Sequence, residues 1–327
     1  MLRWISKSGT FVQFSIFTAL AAWLWIPAFL NPIQAVTSPD DGPLYSVIAS
    51  LMQNLPYVAV CIALLLIVFQ AVVLFYIFQA NGFFGRANFI PAIIVLLAFS
   101  WNSSFQTFHA LLPAGLFVIL ALNAILGMYG KQASYKQVFT AAFSVAIASL
   151  FYLPLVYMLV LLWLSLVSYR ISAWREYVIT FIGFILPWIY YISGLFWNDN
   201  LMYGFRKISG SLFNLVLPDK LSTITIIWLT VSVFVLLATM TAVLNVVSDK
   251  LISLRRRAWV LFSYCLASLI VVLLSGWPLL SANYLFVIPM AFFITGSVSM
   301  VKRPFIFEML ALAYFLLFVV MRYASFF

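Results

Sequence analysis

Long apolar runs alternate with short polar joints along the whole chain. Eleven runs stand out, roughly at 11–30, 56–79, 88–101, 109–128, 138–152, 154–169, 177–196, 223–246, 258–275, 281–298 and 305–325. A helix needs about 20 apolar residues to cross a hydrocarbon core, which most of these runs supply. Residues 58–69 and 310–320 are apolar on every face, whereas a membrane strand alternates polar and apolar positions. The pattern predicts an all-α, polytopic transmembrane helix bundle of about 11 helices. Runs 88–101 and 138–152 are short and read either as partial spans or as misjudged ends. Runs 138–152 and 154–169 meet at Leu153-Pro154, where proline permits a hairpin or one kinked helix.

Composition removes the soluble alternatives. The chain is 66% hydrophobic and 7% charged, with a mean hydropathy of +1.15, whereas soluble domains carry about 25% charged residues. The net charge of +10 would suit nucleic acid, but the cations stand singly between apolar runs and form no basic face. They read instead as topology signals. With the N-terminus cytoplasmic, the inner joints hold 13 of the 17 Lys and Arg residues, leaving Arg206, Lys207, Lys220 and Arg322 outside. Merging 138–152 with 154–169 would move Arg170, Arg175, Lys250 and Arg255-Arg256-Arg257 to the outer side. The runs are therefore kept separate, with the N-terminus inside and the C-terminus outside. The chain shows no internal repeat and no linker, so residues 1–327 read as one integral membrane domain. The first run has no A-x-A cleavage site and is expected to stay as a span. Cys61 and Cys265 lie in apolar runs and read as buried small hydrophobes. With one histidine beside them they predict no zinc site.

Only seven acids occur, and two of them, Asp40 and Asp41, are adjacent in the first outer loop. Neighbouring carboxylates at a bilayer surface repel each other and contribute no apolar packing. Such a pair suits a general base, or a divalent cation held beside a phosphate. The alternative is a solvated turn capped by an aspartate. Pro43 follows Asp41-Gly42 and suits the first turn of a short surface helix over 43–54. Arg206 and Lys207 are outer cations that could bind a pyrophosphate, or else mark an amphipathic loop helix on anionic headgroups. His109 begins the fourth run and could relay a proton or orient a substrate, its alternative being a hydrogen-bonded interfacial residue. Asn102, Gln106, Asn123, Asn283 and Tyr284 are polar lining for the outer ends. Arg175-Glu176 reads as an interfacial anchor, Glu308 as a snorkelling ion pair with Lys302 and Arg303 or else a proton-coupling acid, and the arginine triplet as an orientation signal that meets anionic lipid.

The run Asp40-Asp41-Gly42-Pro43-Leu44-Tyr45, after one span, resembles the first-loop motif of the GT-C membrane glycosyltransferases. The resemblance implies a polyprenyl-phosphate-linked sugar donor. Asp40 and Asp41 would act as base or metal partner, and Tyr45 would fill the aromatic position. The chain departs from that pattern at Trp101-Asn102-Ser103-Ser104-Phe105-Gln106, which has no acid, and it lacks the soluble C-terminal domain of several members. A second resemblance rests on Pro39 to Tyr45, on Ala148-Ser149-Leu150-Phe151-Tyr152-Leu153-Pro154, and on Trp174-Arg175-Glu176-Tyr177 with Gly183-Phe184 and Leu186-Pro187. These are similar to an uncharacterised family of polytopic inner-membrane proteins of Bacteroidota.

The expected function is a GT-C-like transferase at the outer face of a bacterial inner membrane. Its site residues are Asp40, Asp41, Tyr45, His109, Arg206 and Lys207, and its partners the bilayer, a lipid-linked sugar and envelope proteins. A non-enzymatic membrane subunit or scaffold is the first alternative. A transporter or flippase of a lipid-linked substrate is the second.

Overall fold

The computed structural model describes residues 8–35, 37–84, 88–100, 105–131, 134–171, 173–212, 223–275, 279–301 and 305–324. Of residues 203, 207, 211–212, 223–229, 279–283 and 316–324 it describes the backbone alone. The architecture is all-helical: among the described residues there are thirteen α-helices and one 3-10 helix. In chain order the α-helices are α1 (Thr10–Leu30), α2 (Pro43–Met52), α3 (Pro56–Ala80), α4 (Ile90–Ala98), α5 (Leu111–Leu126) and α6 (Tyr135–Phe151). The 3-10 helix (Leu153–Met158) leads into α7 (Leu159–Ser168). Then come α8 (Trp174–Trp197), α9 (Leu201–Leu212), α10 (Thr223–Ser248), α11 (Ile252–Leu274), α12 (Leu279–Met300) and α13 (Phe305–Ala324).

Every apolar run of the sequence falls on a helix. Five stretches are long and apolar enough to cross a membrane: α1, α3, α8, residues 230–248 of α10, and α11. They mark a multi-pass membrane protein. The outer surfaces of these helices agree. Phe11, Phe14, Trp23 and Ile26 of α1 and Phe181, Ile182, Ile185 and Ile189 of α8 are exposed, which suits contact with lipid. Cys61 also faces outward, contrary to its reading as a buried residue, whereas Cys265 is buried. One face of α3 is outside and the other inside, and position 61 falls on the outer one.

The two short runs resolve differently. Helix α6 has 17 residues, beginning three residues earlier than its run suggested. Helix α4 has nine, a rise of about 14 Å, under half of a ~30 Å hydrocarbon core. It is buried at every position but Leu97 and packs among α1, α3, α12 and α13. The rest of the bundle encloses it, so its short length leaves no ladder end in lipid.

The joint at Leu153-Pro154 is a hairpin. Tyr152 is extended (φ −137°, ψ 106°), which ends α6 and reverses the chain into the 3-10 helix. The Tyr129 ring, just before α6, lies 5.7 Å from that of Tyr169, just after α7. Start and finish of the pair therefore share one end of the bundle. Helix α6 is sandwiched between α5 and α8. The crossing with α8 needs a small residue: a Cβ on Gly183 would stand 3.0 Å from Ala142 Cβ and 3.0 Å from the Phe139 carbonyl oxygen.

The bundle has a basal and an apical end. The basal end carries the joints after α3, α5 and α7 and the start of α11. They are tied together by Arg257 Nη1 donating to the Asn81 carbonyl (2.9 Å), by Arg256 donating to the Ser168 carbonyl, and by the Tyr129–Tyr169 contact. The apical end carries the Asp40-Asp41 loop and the turn at Tyr152. Single cysteines placed at Lys131 and Arg170 in a cysteine-free background should react with a membrane-impermeant maleimide from one side only. A cysteine at Asp40 should react from the opposite side, and labelling of 131 and 170 from different sides would refute the hairpin.

Candidate functional site

The apical loop is a closed turn docked on the rest of the bundle. Pro39 presets the backbone of the turn 38–41, and the Asp41 N–H donates to the Ser38 carbonyl (3.2 Å). The Asp41 carboxylate closes the ring from the other side. Its Oδ2 accepts from the Ser38 backbone N–H at 2.6 Å, and its Oδ1 from the Ser38 hydroxyl at 2.9 Å. Charged acceptors make the stronger hydrogen bonds, so the turn is firmly held.

The turn then pairs with the break between α6 and the 3-10 helix. Asp41 and Tyr152 form an antiparallel bridge, flanked by Gly42 N–H to the Phe151 carbonyl (2.8 Å) and Leu153 N–H to the Asp40 carbonyl (3.0 Å). Phe151 is the last residue of α6, so its carbonyl has no intrahelical partner and the loop supplies one. The approach leaves no space for a side chain at position 42, where a Cβ would lie 2.1 Å from the Leu150 carbonyl oxygen.

This docking separates the two aspartates. Asp41 is buried, with 6% of its surface exposed, while Asp40 is half-buried. Helix α2 starts at Pro43 with Gly42 as its N-cap, as the sequence suggested. It buries Tyr45 and Ala49 against the bundle and turns Leu44, Val47 and Leu51 outward.

Below the loop runs a file of polar groups. Tyr45 is fully buried, stacks on Phe108 at 5.6 Å and donates its hydroxyl to the Phe108 carbonyl at 3.0 Å. Burial first, and then the Asp41 charge, push the Tyr45 phenol well above its ordinary range, which keeps it a donor. The next residue, His109, is buried and meets the Tyr284 ring edge-on at 5.9 Å. Its two ring nitrogens have no hydrogen-bond partner among the described residues, unlike the bonded interfacial histidine expected as its alternative. Tyr284 donates to Gln70 Oε1, and Gln70 Nε2 donates to the Leu112 carbonyl at 2.6 Å. The file thus reaches from the apical loop to the middle of α3.

The remaining candidates divide. Arg206 is exposed on α9, an amphipathic helix expected only as the alternative to a pyrophosphate site, and α9 packs on the same 3-10 helix that follows Tyr152. The side chains of Lys207 and Asn283 lie outside the described residues, as do Asn102, Asp219 and Lys220 altogether. Gln106 is buried and donates to the Leu24 carbonyl (2.9 Å) and the Ser100 carbonyl (3.2 Å), so it closes a loop and does not line an outer opening. Sequence reading missed Gln13, the one amide of its apolar run, and Gln70, the one amide in the middle of its run. Among the described residues no group of three or more His, Cys, Asp and Glu side chains converges. A divalent cation at Asp40 and Asp41 would need further ligands from its substrate.

The Asp41→Asn variant keeps one acceptor but turns an amide NH2 toward a Ser38 donor. It should lose about 1.5–3 kcal/mol, the worth of hydrogen bonds to a charged group, read as a lower melting temperature in detergent. Asp40→Asn should cost less, because that side chain is only half-buried. Gly42→Ala should destabilise by about 1–3 kcal/mol through the clash with Leu150, read with faster proteolysis of the apical loop. Comparison with known family models, with curated proteins and with solved structures finds no match to this chain.

Proposed function

We propose that the protein is a GT-C-like transferase of the bacterial inner membrane. In this reading ten of its eleven apolar segments cross the bilayer around the enclosed partial helix α4, the basal end is cytoplasmic, and the apical end takes a polyprenyl-phosphate-linked sugar donor. One observation carries the reading: the acid pair and the helix bearing Arg206 and Lys207 flank the same 3-10 turn. An acceptor hydroxyl would lose its proton to a carboxylate and attack the anomeric carbon. The bond from that carbon to phosphate oxygen would break, and the polyprenyl phosphate would leave with the electron pair, its charge met by Arg206 and Lys207.

The hydrogen bonds of Asp41 support different duties for the two acids. Asp41 is the positioning residue, held by Ser38, and Asp40 is the proposed base or metal partner. Tyr45 anchors α2 under the pair, and His109 sits on the polar file behind it. The same Ser38 bonds favour a second reading, a non-enzymatic envelope subunit whose apical turn is purely structural. A transporter would need a continuous polar path across the midplane.

Replacement of Asp40 by Asn, scored on envelope glycans, should abolish transfer, about 10²-fold or more for loss of a general base. Arg206→Ala should weaken use of the donor and leave folding intact. Unchanged glycans in the Asp40→Asn, Asp41→Asn double variant would leave the subunit reading in place of the enzyme.

A further inference from the structure

The basal end holds a cavity of about 510 Å³, within the ~300–1,000 Å³ range of small-ligand sites. Three parts of the chain wall it: residues 128–131, then Tyr169, Arg170, Ile171 and Ala173 with Glu176 of α8, and Arg256 of α11. Lys131, Arg170 and Arg256 put three positive charges on the wall. Arg257 stands behind them, 5.8 Å from the Tyr129 ring centre. Arg256 and Arg257 each donate to a backbone carbonyl, of Ser168 and of Asn81, which fixes them without neutralising them.

Two buried polar groups on this wall lack partners among the described residues. Glu176 is 3% exposed and its Oε2 accepts no hydrogen bond. The Tyr169 hydroxyl is equally unpartnered. A buried carboxylate oxygen left in this state is costly unless a ligand serves it. The interfacial-anchor reading explains the exposed Arg175 beside it but does not explain this burial.

Arg170 is held against its own preference. After α7, its N–H bonds to the Val167 carbonyl (3.0 Å) and the Ile171 N–H bonds to the Leu166 carbonyl (3.0 Å). This is the Schellman closure, whose C′ residue is left-handed and usually glycine. The chain closes α3 in the same way with Gly82 (φ 67°) and α8 with Asp199 (φ 55°). At α7 the position holds an arginine at φ 57°. A long side chain there is strained and gives the helix cap nothing that glycine would not. Its charge on the cavity wall is the evident gain.

We propose that this cavity binds a phosphodiester or phosphomonoester that carries a primary ammonium, the chemistry of an ethanolamine phosphate group. The cations and the Tyr169 hydroxyl hold the phosphate oxygens. Glu176 takes the ammonium, beside the faces of Tyr129 and Tyr169. The group can come from a phospholipid of the adjoining leaflet or from a soluble molecule.

The test uses the full-length protein, delipidated in detergent and reconstituted. Retention of phosphatidylethanolamine, phosphatidylcholine and phosphatidylglycerol is measured by native mass spectrometry, with free ethanolamine phosphate as competitor. Phosphatidylethanolamine should be retained over both others. Arg170→Gly should cut retention about tenfold, the loss of one charge-assisted contact, while melting no lower than wild type. Glu176→Gln should erase the preference for phosphatidylethanolamine over phosphatidylglycerol. Arg175→Ala, a neighbouring cation that does not line the cavity, should change nothing. Displacement by free ethanolamine phosphate at comparable concentration supports a soluble source, and its failure to displace supports the lipid. Equal retention of all three lipids without binding of the free compound overturns the proposal, as does an equal loss in Arg175→Ala.

Discussion

Wherever lipid surrounds a chain, its backbone N–H and C=O groups must find partners within the protein, because no water is present to serve them. Long helices meet that requirement along their length but not at their ends or breaks. This bundle contains an unusual number of breaks, and its scarce polar side chains cluster there. Tyr45 serves the Phe108 carbonyl and Gln106 that of Ser100. Gln13 Oε1 accepts from the Phe89 N–H at the entry of α4, and the basal arginines reach the carbonyls of Asn81 and Ser168. The nine-residue α4 exists because its neighbours complete it. Removing such an amide would leave a backbone group buried and unmet, a larger penalty than the loss of one net hydrogen bond.

The same requirement sets the chemistry of the two ends. At the apical end an extended backbone segment closes the break after α6, and in doing so it fixes an acid pair in place. At the basal end the cationic side chains of Arg256 and Arg257 close the breaks, and Arg256 also lines a cavity.

Helix positions were legible because lipid imposes one simple rule on composition, and α2 was legible because Gly42-Pro43 is a strong local start signal. Charge placement separated α6 from α7 before any contact was known. The hydrogen bonds of Asp41 were hidden. Asp-Asp-Gly spells a turn, but nothing local says that Phe151 and Tyr152 will receive it. Glu176 misled for a related reason: its neighbours Trp174 and Arg175 are exposed, and only the packing of α8 on α6 buries it. The depth of His109 and Gln70 likewise depends on which helices meet, which periodicity along one helix does not encode.

The pairing of Asp40 with Leu153 also constrains how the protein is made. The first loop leaves the ribosome well before α6 does, so its backbone partners do not yet exist. At ~5–20 residues per second, translating the next hundred or so residues takes roughly 5–20 s. Throughout that interval the acidic loop must wait without its backbone partners at Phe151 and Leu153. Final assembly of the apical end is therefore a late event in biogenesis, and factors that act on nascent membrane chains meet this loop open.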